Sequence, residues 1–228
     1  MWIKVAPEFR DAAGSDLMPD AVMYLNALRD GWVPPRRLTS EEREALRWSD
    51  EPSALRGFVG FCCGFRGKFF LCNVWPEDEV AMLAKRELRR APKLRQCSPL
   101  SVLDYRRADI RDGDVVYCDP PYGETTGYSW VGDGRFDTYR FWATMAGWVR
   151  RGAYVLVSEQ DAPRDWAIAA EQVRARTTSY DPSSTGRNGR KLARERVFIH
   201  VSQVEDRSTL ARHETALRRG ERSWPAIE

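Results

Sequence analysis

Apolar residues recur about every three to four positions in three stretches of the chain, a spacing that predicts amphipathic helices. These stretches cover residues 21–30, 78–95 and 136–151. Gly31 and Gly152 follow the first and the third stretch, where glycine commonly ends a helix. Glu42 stands three residues after Thr39 in a capping-box pattern, which predicts the start of a further helix.

Two unbroken apolar runs have the length and composition of buried strands. They are Val115–Cys118 and Ala153–Val157, and the third predicted helix lies between them. This strand–helix–strand order predicts a parallel sheet and an α/β fold. The remaining predictions are short strands at 12–14, 102–105 and 196–201, a turn and short helix around Trp166, a flexible basic loop over 174–196, and a frayed helix or disordered tail after residue 203.

Composition narrows the class of protein without naming a partner. With 228 residues the chain has room for one domain, or for one domain with a sizeable insertion. The net charge is only +3, so overall charge does not by itself predict nucleic-acid binding. Five cysteines without a Cys-x-x-Cys pair, and only two histidines, argue against a zinc site. We expect reduced thiols in a soluble cytoplasmic protein, since no apolar run reaches the length of a membrane helix.

The strand at Val115–Cys118 runs directly into Asp119, Pro120, Pro121 and Tyr122. Because proline cannot donate to a sheet ladder, the strand must stop at Asp119. Open α/β sheets bind their ligands at the carboxyl ends of strands. Asp119 and the Pro120 carbonyl can accept the N–H groups of an exocyclic amine, and Tyr122 can stack on its ring. The alternative is a proline turn in which Asp119 acts only as a turn former.

A second acidic position follows the small-residue strand at 12–14. Asp16, with Asp20 shortly after it, stands where many nucleotide-binding α/β folds present a carboxylate to ribose hydroxyls. The alternative is that Asp16 or Asp20 caps the helix that follows. The motif favours neither interpretation over the other.

Basic residues are concentrated in three segments that we predict to face nucleic acid. The glycine- and phenylalanine-rich segment 57–70 is expected to turn its phenylalanines inward and its basic residues outward. The end of the second predicted helix, 85–95, and the stretch 187–196 carry the other clusters. The alternative for 85–95 is a solvated helix face whose basic end suits the helix dipole. The predicted nucleic-acid contacts are Arg66, Lys68, Arg89, Arg90, Arg190 and Lys191.

Taken in order along the chain, these motifs resemble those of the Dam-like (D12 class) adenine-N6-specific DNA methyltransferases, in particular phage-type members. The resemblance runs from about Ser15 to Val201. It is carried by Ser15-Asp16 with Pro19-Asp20, Gly31-Trp32 with Pro34-Pro35, the segment 57–70, Tyr117 to Tyr122, Thr126-Gly127-Tyr128, Phe136-Asp137 with Phe141-Trp142, Val157-Ser158-Glu159 with Ala162-Pro163, and Arg194-Glu195-Arg196.

The resemblance implies a Rossmann-like sheet that uses S-adenosyl-L-methionine to methylate a flipped adenine in double-stranded DNA, with no metal and no membrane. It implies that Asp119 contacts the amine and lies near the cofactor. Pro120 offers its carbonyl, Pro121 completes the motif, and Tyr122 stacks on the base. The implied location is the cytoplasm of a bacterial or phage-infected cell.

The resemblance also implies cofactor contacts and a domain organisation. Asp16 would hold the cofactor ribose, and Asp104 and Tyr105 would line its adenine. The methyltransferase core would span 1–30 and 96–202, with an inserted, mainly helical DNA-recognition region over 31–95. A polar tail over 203–228 would follow.

One part of the family pattern is missing, namely the opening strand with its F-x-G-x-G loop and the lysine-bearing segment ahead of it. Asp16 stands only fifteen residues after Met1, and no glycine precedes Gly14. We therefore expect an N-terminally truncated sheet with poor cofactor affinity, unless a second chain supplies the missing wall. The alternatives left open are a catalytically dead DNA-binding remnant, half of a split enzyme, and an RNA or protein amino-methyltransferase.

Overall fold

Helices and strands alternate along the computed structural model, which describes residues 12–64, 69–70, 77–121, 136–176 and 191–219. The predicted α/β class is confirmed at the level of helices combined with parallel and mixed sheets. Contacts divide the chain into a first unit, Met1–Ala108, and a second unit, Asp109–Glu228. Each unit has its own sheet and its own helices.

A two-stranded parallel sheet and five described helices make up the first unit. Strand β1 (Gly14–Asp16) pairs with β2 (Leu100–Val102), and Asp16 lies opposite Val102. The helices that separate the two strands in sequence are α1 (Pro19–Arg29), α2 (Ser40–Trp48), α3 (Ala54–Cys62), α4 (Glu77–Leu88) and α5 (Ala91–Leu94).

Helices α1 and α2 end and begin where the sequence predicts. Thr39 Oγ1 accepts a hydrogen bond from the Glu42 backbone N–H at 3.1 Å, and Glu42 Oε2 accepts one from the Thr39 N–H at 2.7 Å. This is the reciprocal capping box. Helix α1 ends at Arg29, and Gly31 follows it with a φ of +99°, a conformation that glycine adopts without strain.

Helix α3 is pressed against α1 in the core of the first unit. Leu28 on α1 and Phe58 on α3 are fully buried. A Cβ at Gly57 would lie 2.2 Å from the backbone oxygen of Asp20, so only glycine fits there. The segment 57–70, whose phenylalanines are expected to face inward, starts inside this helix, and its Phe58 and Phe70 are buried.

The single helix predicted over 78–95 is wrong, because the structure has two helices there. Helix α4 ends at Leu88 and α5 begins at Ala91, with Arg89 and Arg90 between them. Pro92 lies in the first turn of α5. Proline lacks a backbone N–H and its ring clashes with the preceding turn, so α4 cannot continue through it.

Glu87 and Asp20 are carboxylates buried in the first unit. Glu87 has no exposed surface and accepts hydrogen bonds from Tyr24 Oη at 2.7 Å, Arg86 Nε at 2.9 Å and Arg90 Nη1 at 2.7 Å. Burial opposes ionisation of Glu87, but these donors outweigh it and hold its pKa below the ordinary value. The charge of the Glu87 carboxylate is therefore balanced by Arg86 and Arg90, and the residue stabilises the core of the first unit.

Asp20 is held in the same way on the N-terminal side of α1. It is 3% exposed, accepts a hydrogen bond from the Ser53 backbone N–H at 3.0 Å, and forms an ion pair with Arg56. The Arg56 guanidinium in turn lies 5.0 and 5.6 Å from the ring centroids of Phe69 and Phe70. These contacts tie α1 to α3 and to the two described aromatic residues after it.

The second unit is built on a four-stranded sheet in the order β3-β4-β6-β5. Strand β3 (Val115–Cys118) pairs in parallel with β4 (Tyr154–Glu159), and α6 (Thr138–Arg150) lies between them in sequence. The parallel pairing predicted from the strand–helix–strand order is confirmed. Strand β6 (Lys191–His200) runs antiparallel to both β4 and β5 (Trp166–Arg176), and α7 (Arg207–Arg218) follows it.

Helix α6 packs on one face of this sheet through the residues that its spacing predicts to be inward. Asp137 caps the helix by accepting a hydrogen bond from the Arg140 N–H at 2.9 Å. The Trp142 ring centroid lies 4.9 Å from that of Trp166 and 6.4 Å from that of Phe198. The predicted inward residues are all buried, namely Phe141, Trp142, Met145 and Trp148.

The short helix predicted around Trp166 is wrong, because Trp166 is the first residue of strand β5. The alanine-rich run that follows has a weak strand preference, so pairing with β6 decides its conformation. Strands also occupy both ends of the predicted loop over 174–196, and residues 177–190 lie outside the described part. Of the two alternatives for the tail, a helix forms over Arg207–Arg218.

Three features bear on the class of protein within the described ranges. Of the helices in these ranges, none combines the length and apolar character needed to cross a bilayer. No group of three or more His, Cys, Asp or Glu side chains in them could hold a metal ion. The described cysteines are free thiols: Cys62, Cys63, Cys97 and Cys118.

Candidate functional site

Asp119, Pro120 and Pro121 follow β3 at its carboxyl end, and the strand stops at Cys118 as the prolines predict. The parallel register places Cys118 opposite Val157 of β4. Asp119 therefore stands at the same edge of the sheet as the polar end of β4. This is the edge at which open α/β sheets bind ligands.

The Asp119 carboxylate accepts no hydrogen bond and forms no ion pair among the described side chains. Although Asp119 is exposed as a whole residue, the protein atoms around its carboxyl group raise its pKa above the ordinary value, and the negative charge of Glu195 raises it further. Its oxygens are thus available to a ligand that brings N–H donors.

Polar residues from β4 and β6 extend this edge of the sheet. Ser158 and Glu159 at the end of β4 are 6% and 5% exposed, and Glu159 accepts a hydrogen bond from the Gln160 backbone N–H. Arg196 of β6 lies opposite Glu159 in the register and donates to the Gln160 carbonyl at 3.1 Å. Glu195 is not predicted as a site residue, because its effect on Asp119 depends on the strand register.

Cys118 immediately precedes the candidate site, and its side chain packs against α6. Its Sγ lies 3.4 Å from the Met145 sulfur on α6. Burial and the neighbouring charge of Asp119 raise the pKa of the thiol to about 12. A thiol with so high a pKa is a packing group rather than a nucleophile.

A separate set of polar residues stands at the carboxyl end of the β1–β2 sheet, in the first unit. Asp16 is the last residue of β1, and its backbone oxygen accepts a hydrogen bond from the Leu103 N–H at 3.1 Å. Asp104 follows Leu103 directly. The two predicted cofactor carboxylates, Asp16 and Asp104, are thereby brought to neighbouring strand ends of one sheet.

Asp16 is exposed, and its carboxylate serves neither as a helix cap nor as an ion-pair partner among the described residues. It accepts a hydrogen bond from the Met18 N–H at 2.8 Å, whereas α1 has Met18 at its N-cap without a side-chain cap bond. Crowding by protein atoms raises the pKa of Asp16 despite hydrogen bonds from the Met18 and Leu17 backbones. The capping alternative therefore fails for Asp16, and for Asp20, which pairs with Arg56.

Asp104 is engaged by its own chain. Its carboxylate caps the 3₁₀ turn Tyr105–Arg107 and accepts hydrogen bonds from the Arg106 backbone and guanidinium. Tyr105 is partly exposed in this turn. A ligand could reach Asp104 only by exchanging with Arg106, so Asp16 is the more available of the two carboxylates.

Arg89 and Arg90, predicted to contact nucleic acid, lie at the corner between α4 and α5. Arg90 donates to the buried Glu87, so part of its charge is used inside the unit. Arg89 is exposed and forms no ion pair with a described carboxylate. Further exposed cations near this corner are Lys85, Lys93 and Arg95. The corner is therefore a basic surface of the first unit.

Four predicted site residues lie outside the described part of the chain, namely Tyr122, Arg66, Lys68 and Arg190. Lys191 is placed as the first residue of β6. The roles of these residues stay predictions.

The chain as described is an α/β protein with a polar group of residues at the strand ends of each unit. No protein-family model matches the sequence, and comparison with curated proteins gives no match.

Proposed function

We propose that this protein transfers a methyl group from S-adenosyl-L-methionine to the N6 amine of a flipped adenine in double-stranded DNA. The observation that carries this proposal is the available carboxylate of Asp119 at a parallel strand end, followed by two prolines. Elsewhere in the chain, the buried carboxylates Asp20 and Glu87 are already held by arginines.

Asp119 would act on the amine as a hydrogen-bond acceptor. The lone pair of adenine N6 is delocalised into the ring, which makes the nitrogen a weak nucleophile. Hydrogen bonds from its two N–H groups to Asp119 and to the Pro120 carbonyl favour a pyramidal nitrogen, whose lone pair is free to attack. The gain is positioning and electrostatic stabilisation. The base must leave the duplex to reach such a site, and stacking on Tyr122, implied by the resemblance, would offset part of the unstacking cost.

The residues at the β1–β2 strand ends fit a nucleoside cofactor in part. The exposed Asp16 carboxylate has lone pairs to spare and would accept hydrogen bonds from the ribose hydroxyls. Asp104 is held by Arg106, so we assign it the weaker role. When bound, S-adenosyl-L-methionine supplies an electrophilic methyl group.

The basic corner at α4–α5 supports a polyanionic partner. Exposed cations gain affinity for duplex DNA by displacing condensed counterions, whatever the base sequence. Arg89 is the best placed of the predicted contacts, since no described carboxylate competes for it. Arg90 would contribute less because Glu87 shares its charge.

The proposal is tested by transfer of a labelled methyl group from S-adenosyl-L-methionine to duplex DNA, to RNA and to a protein mixture. We expect label in DNA adenine only. Label in RNA or protein would assign the chain to the alternative class of amino-methyltransferase. DNA binding without any cofactor binding at millimolar concentration, measured by calorimetry, would identify a catalytically dead remnant.

A variant of Asp16 tests whether this residue binds the cofactor. Asp16→Ala should weaken S-adenosyl-L-methionine binding by about tenfold, the loss of one charge-assisted hydrogen bond. Asp30→Ala is the matched control, because Asp30 is also an exposed acid of the first unit and, among the described residues, pairs with Arg29 alone. Equal binding by both variants and the wild type would contradict the role of Asp16.

A further inference from the structure

His200, the last residue of β6, lies between a serine and an aspartate. Its Nδ1 is 2.8 Å from Ser202 Oγ and 3.3 Å from the Ser202 backbone nitrogen. Its Nε2 is 3.4 Å from Asp165 Oδ2. These are the three residue types of a Ser–His–Asp triad, which is recognised by geometry and roles rather than by position in the sequence.

The backbone contact determines which nitrogen of the His200 ring carries the proton. The Ser202 backbone N–H can only donate, so Nδ1 must be the acceptor. Since a neutral imidazole carries a single ring proton, that proton is on Nε2, the nitrogen that faces Asp165. The Ser202 hydroxyl therefore donates to Nδ1 as well. The lone pair of Nδ1 is directed at the proton that a general base would remove.

Asp165 is fixed in the turn before β5. Its backbone oxygen accepts a hydrogen bond from the Val201 N–H at 2.8 Å. Its side chain is only 16% exposed, and Oδ1 is buried without a hydrogen-bond partner among the described residues. Such an orphaned buried oxygen costs stability, and a catalytic role is one of its recognised explanations. The Asp165 carboxylate is positioned to orient His200 and to stabilise its protonated ring.

The imidazole ring rests on the core of the second unit. Trp166 lies opposite His200 in the strand register and is fully buried. The two rings are nearly perpendicular, with their centroids 5.4 Å apart. Ser202 is exposed in the 3₁₀ turn Val201–Gln203. A base on a rigid element thus stands beside a serine that an external reagent can reach.

These residues lie at the opposite end of the sheet from Asp119. Strand β6 runs antiparallel to β4, and Ile199 pairs with Leu156 in the first half of β4. His200 follows Ile199 and therefore lies towards the amino end of β4, whereas Asp119 stands at the carboxyl edge. A reaction at Ser202 would be independent of methyl transfer.

We propose that Ser202 is an activated nucleophile that takes the acyl group of neutral carboxylic esters, with His200 as its general base and Asp165 as the positioning residue. Ser202 Oγ attacks the ester carbonyl carbon while its proton passes to His200 Nδ1, which returns that proton to the leaving alcohol. Water then hydrolyses the acyl-serine with the help of the same base. An anionic ester is disfavoured by Asp165 and by the acids Glu205 and Asp206 that follow in the chain.

The experiment measures how fast a neutral alkyl fluorophosphonate labels the full chain, and mass spectrometry locates the label. In this reaction Ser202 Oγ bonds to phosphorus, fluoride leaves, and the hydroxyl proton passes to His200 and then to solvent. The test variants are Ser202→Ala and His200→Asn. Asparagine offers an acceptor oxygen that can still cap the 3₁₀ turn, but it is not a base. Ser208→Ala is the matched control, because Ser208 is also an exposed serine, and its hydroxyl donates to Asp206 rather than to an imidazole.

We expect the wild type to be labelled at Ser202, and Ser202→Ala to lose that label. His200→Asn should react at least about 100-fold more slowly, the scale of general-base catalysis. Ser208→Ala should react like the wild type, and both should hydrolyse p-nitrophenyl acetate. A wild type without label at Ser202, or His200→Asn labelled at the rate of the wild type, would overturn the proposal and leave His200 as a cap of the turn.

The positioning role of Asp165 is tested by Asp165→Asn. We expect labelling to slow by at least about tenfold, because the base loses the group that orients it. The proton NMR signal of His200 Nε2–H should also move upfield as it loses a charged neighbour. The chain has only two histidines, so His200→Asn assigns that signal. An unchanged labelling rate or an unmoved signal would overturn the triad.

Discussion

The carboxylates inside the first unit and the carboxylate at the tip of β3 are held in opposite ways. Glu87 is fully buried and accepts hydrogen bonds from a tyrosine and two arginines, and Asp20 is fixed by Arg56 and a backbone N–H. Asp119 is exposed and has no such partner among the described residues. Its pKa is raised, whereas that of Glu87 is lowered.

The comparison distinguishes carboxylates that stabilise the fold, Glu87 and Asp20, from a carboxylate that is available to a ligand, Asp119. A buried carboxylate that loses its partner is strongly destabilising, so Asp20 and Glu87 come with theirs. Burial around Asp119 disfavours its ionised form, and no described side chain pairs with it. Titratable groups left in this state at strand ends are common at functional sites.

The largest loss of stability is expected for Glu87, because both of its carboxylate oxygens accept hydrogen bonds. Glu87→Ala leaves the buried Tyr24 hydroxyl with only the weak acceptor Cys62 Sγ, at 3.3 Å, and opens a cavity, while Arg86 and Arg90 can turn to solvent. We expect the first unit to lose about 3 kcal/mol. Urea unfolding combined with hydrogen exchange in α1 and α4 measures the loss in that unit.

Glu44→Ala is the matched control for this variant. Glu44 is an exposed glutamate of α2 that accepts a hydrogen bond from the Trp48 indole N–H at 2.7 Å and from no other residue in the described part of the chain. Its removal should change stability by less than about 0.5 kcal/mol. A loss of similar size for both variants would show that the Glu87 network does not hold the first unit together.

The next largest loss of stability is expected for Gly57→Ala, which tests how closely α1 and α3 approach each other beside Asp20. An added methyl group in Gly57→Ala meets the Asp20 backbone oxygen, so α1 and α3 must move apart. We expect a loss of about 2 kcal/mol. Gly147→Ala, in the helix α6, meets nothing closer than the Arg150 guanidinium at 3.9 Å and should gain about 1 kcal/mol instead. Thermal unfolding of both variants reads out this contrast, and a neutral Gly57→Ala would refute the close approach.

The smallest effect is expected at the tip of β3. Because the pKa of Asp119 is raised in the folded protein, the fold binds the proton more tightly than the unfolded chain does. The ionised carboxylate therefore costs stability once the pH exceeds the folded pKa, and this cost vanishes below the unfolded value of about 3.9. Asp119→Asn should stabilise the protein at neutral pH by less than about 0.5 kcal/mol, since the residue is exposed.

A pH series of unfolding midpoints measures this small gain. The advantage of Asp119→Asn should shrink as the pH falls towards 4, given the unperturbed aspartate pKa of about 3.9. A variant that is less stable than the wild type at neutral pH would mean that Asp119 has a stabilising partner.

Local rules account for the parts of the fold that the sequence predicts correctly. The capping box at Thr39, the end of β3 just before Asp119 and the inward face of α6 each depend on neighbouring residues alone. The errors arise where distant pairing or a single break decides the outcome. Trp166 starts a strand because β6 lies beside it, and Pro92 divides a helix that periodicity alone predicts to be continuous.

At the candidate site, too, local rules are predictable from the sequence, whereas long-range contacts are not. The prolines after Asp119 predict that this residue lies at a strand end, and the structure confirms that position. Glu195 acts on Asp119 through the sheet register, and the engagement of Asp104 by Arg106 is a side-chain contact that no sequence pattern signals. Tyr122 stays a prediction, since it lies outside the described residues.

The most direct test of the central claim is methyl transfer by Asp119→Ala, measured as tritium transferred from S-adenosyl-L-methionine to duplex DNA. The control variant is Asp109→Ala, which removes an exposed acid of the same unit that pairs with Arg111. We predict a loss of at least about 100-fold for Asp119→Ala, the scale of removing one transition-state contact, and no change for the control. Transfer by Asp119→Ala at the rate of the wild type would contradict the account.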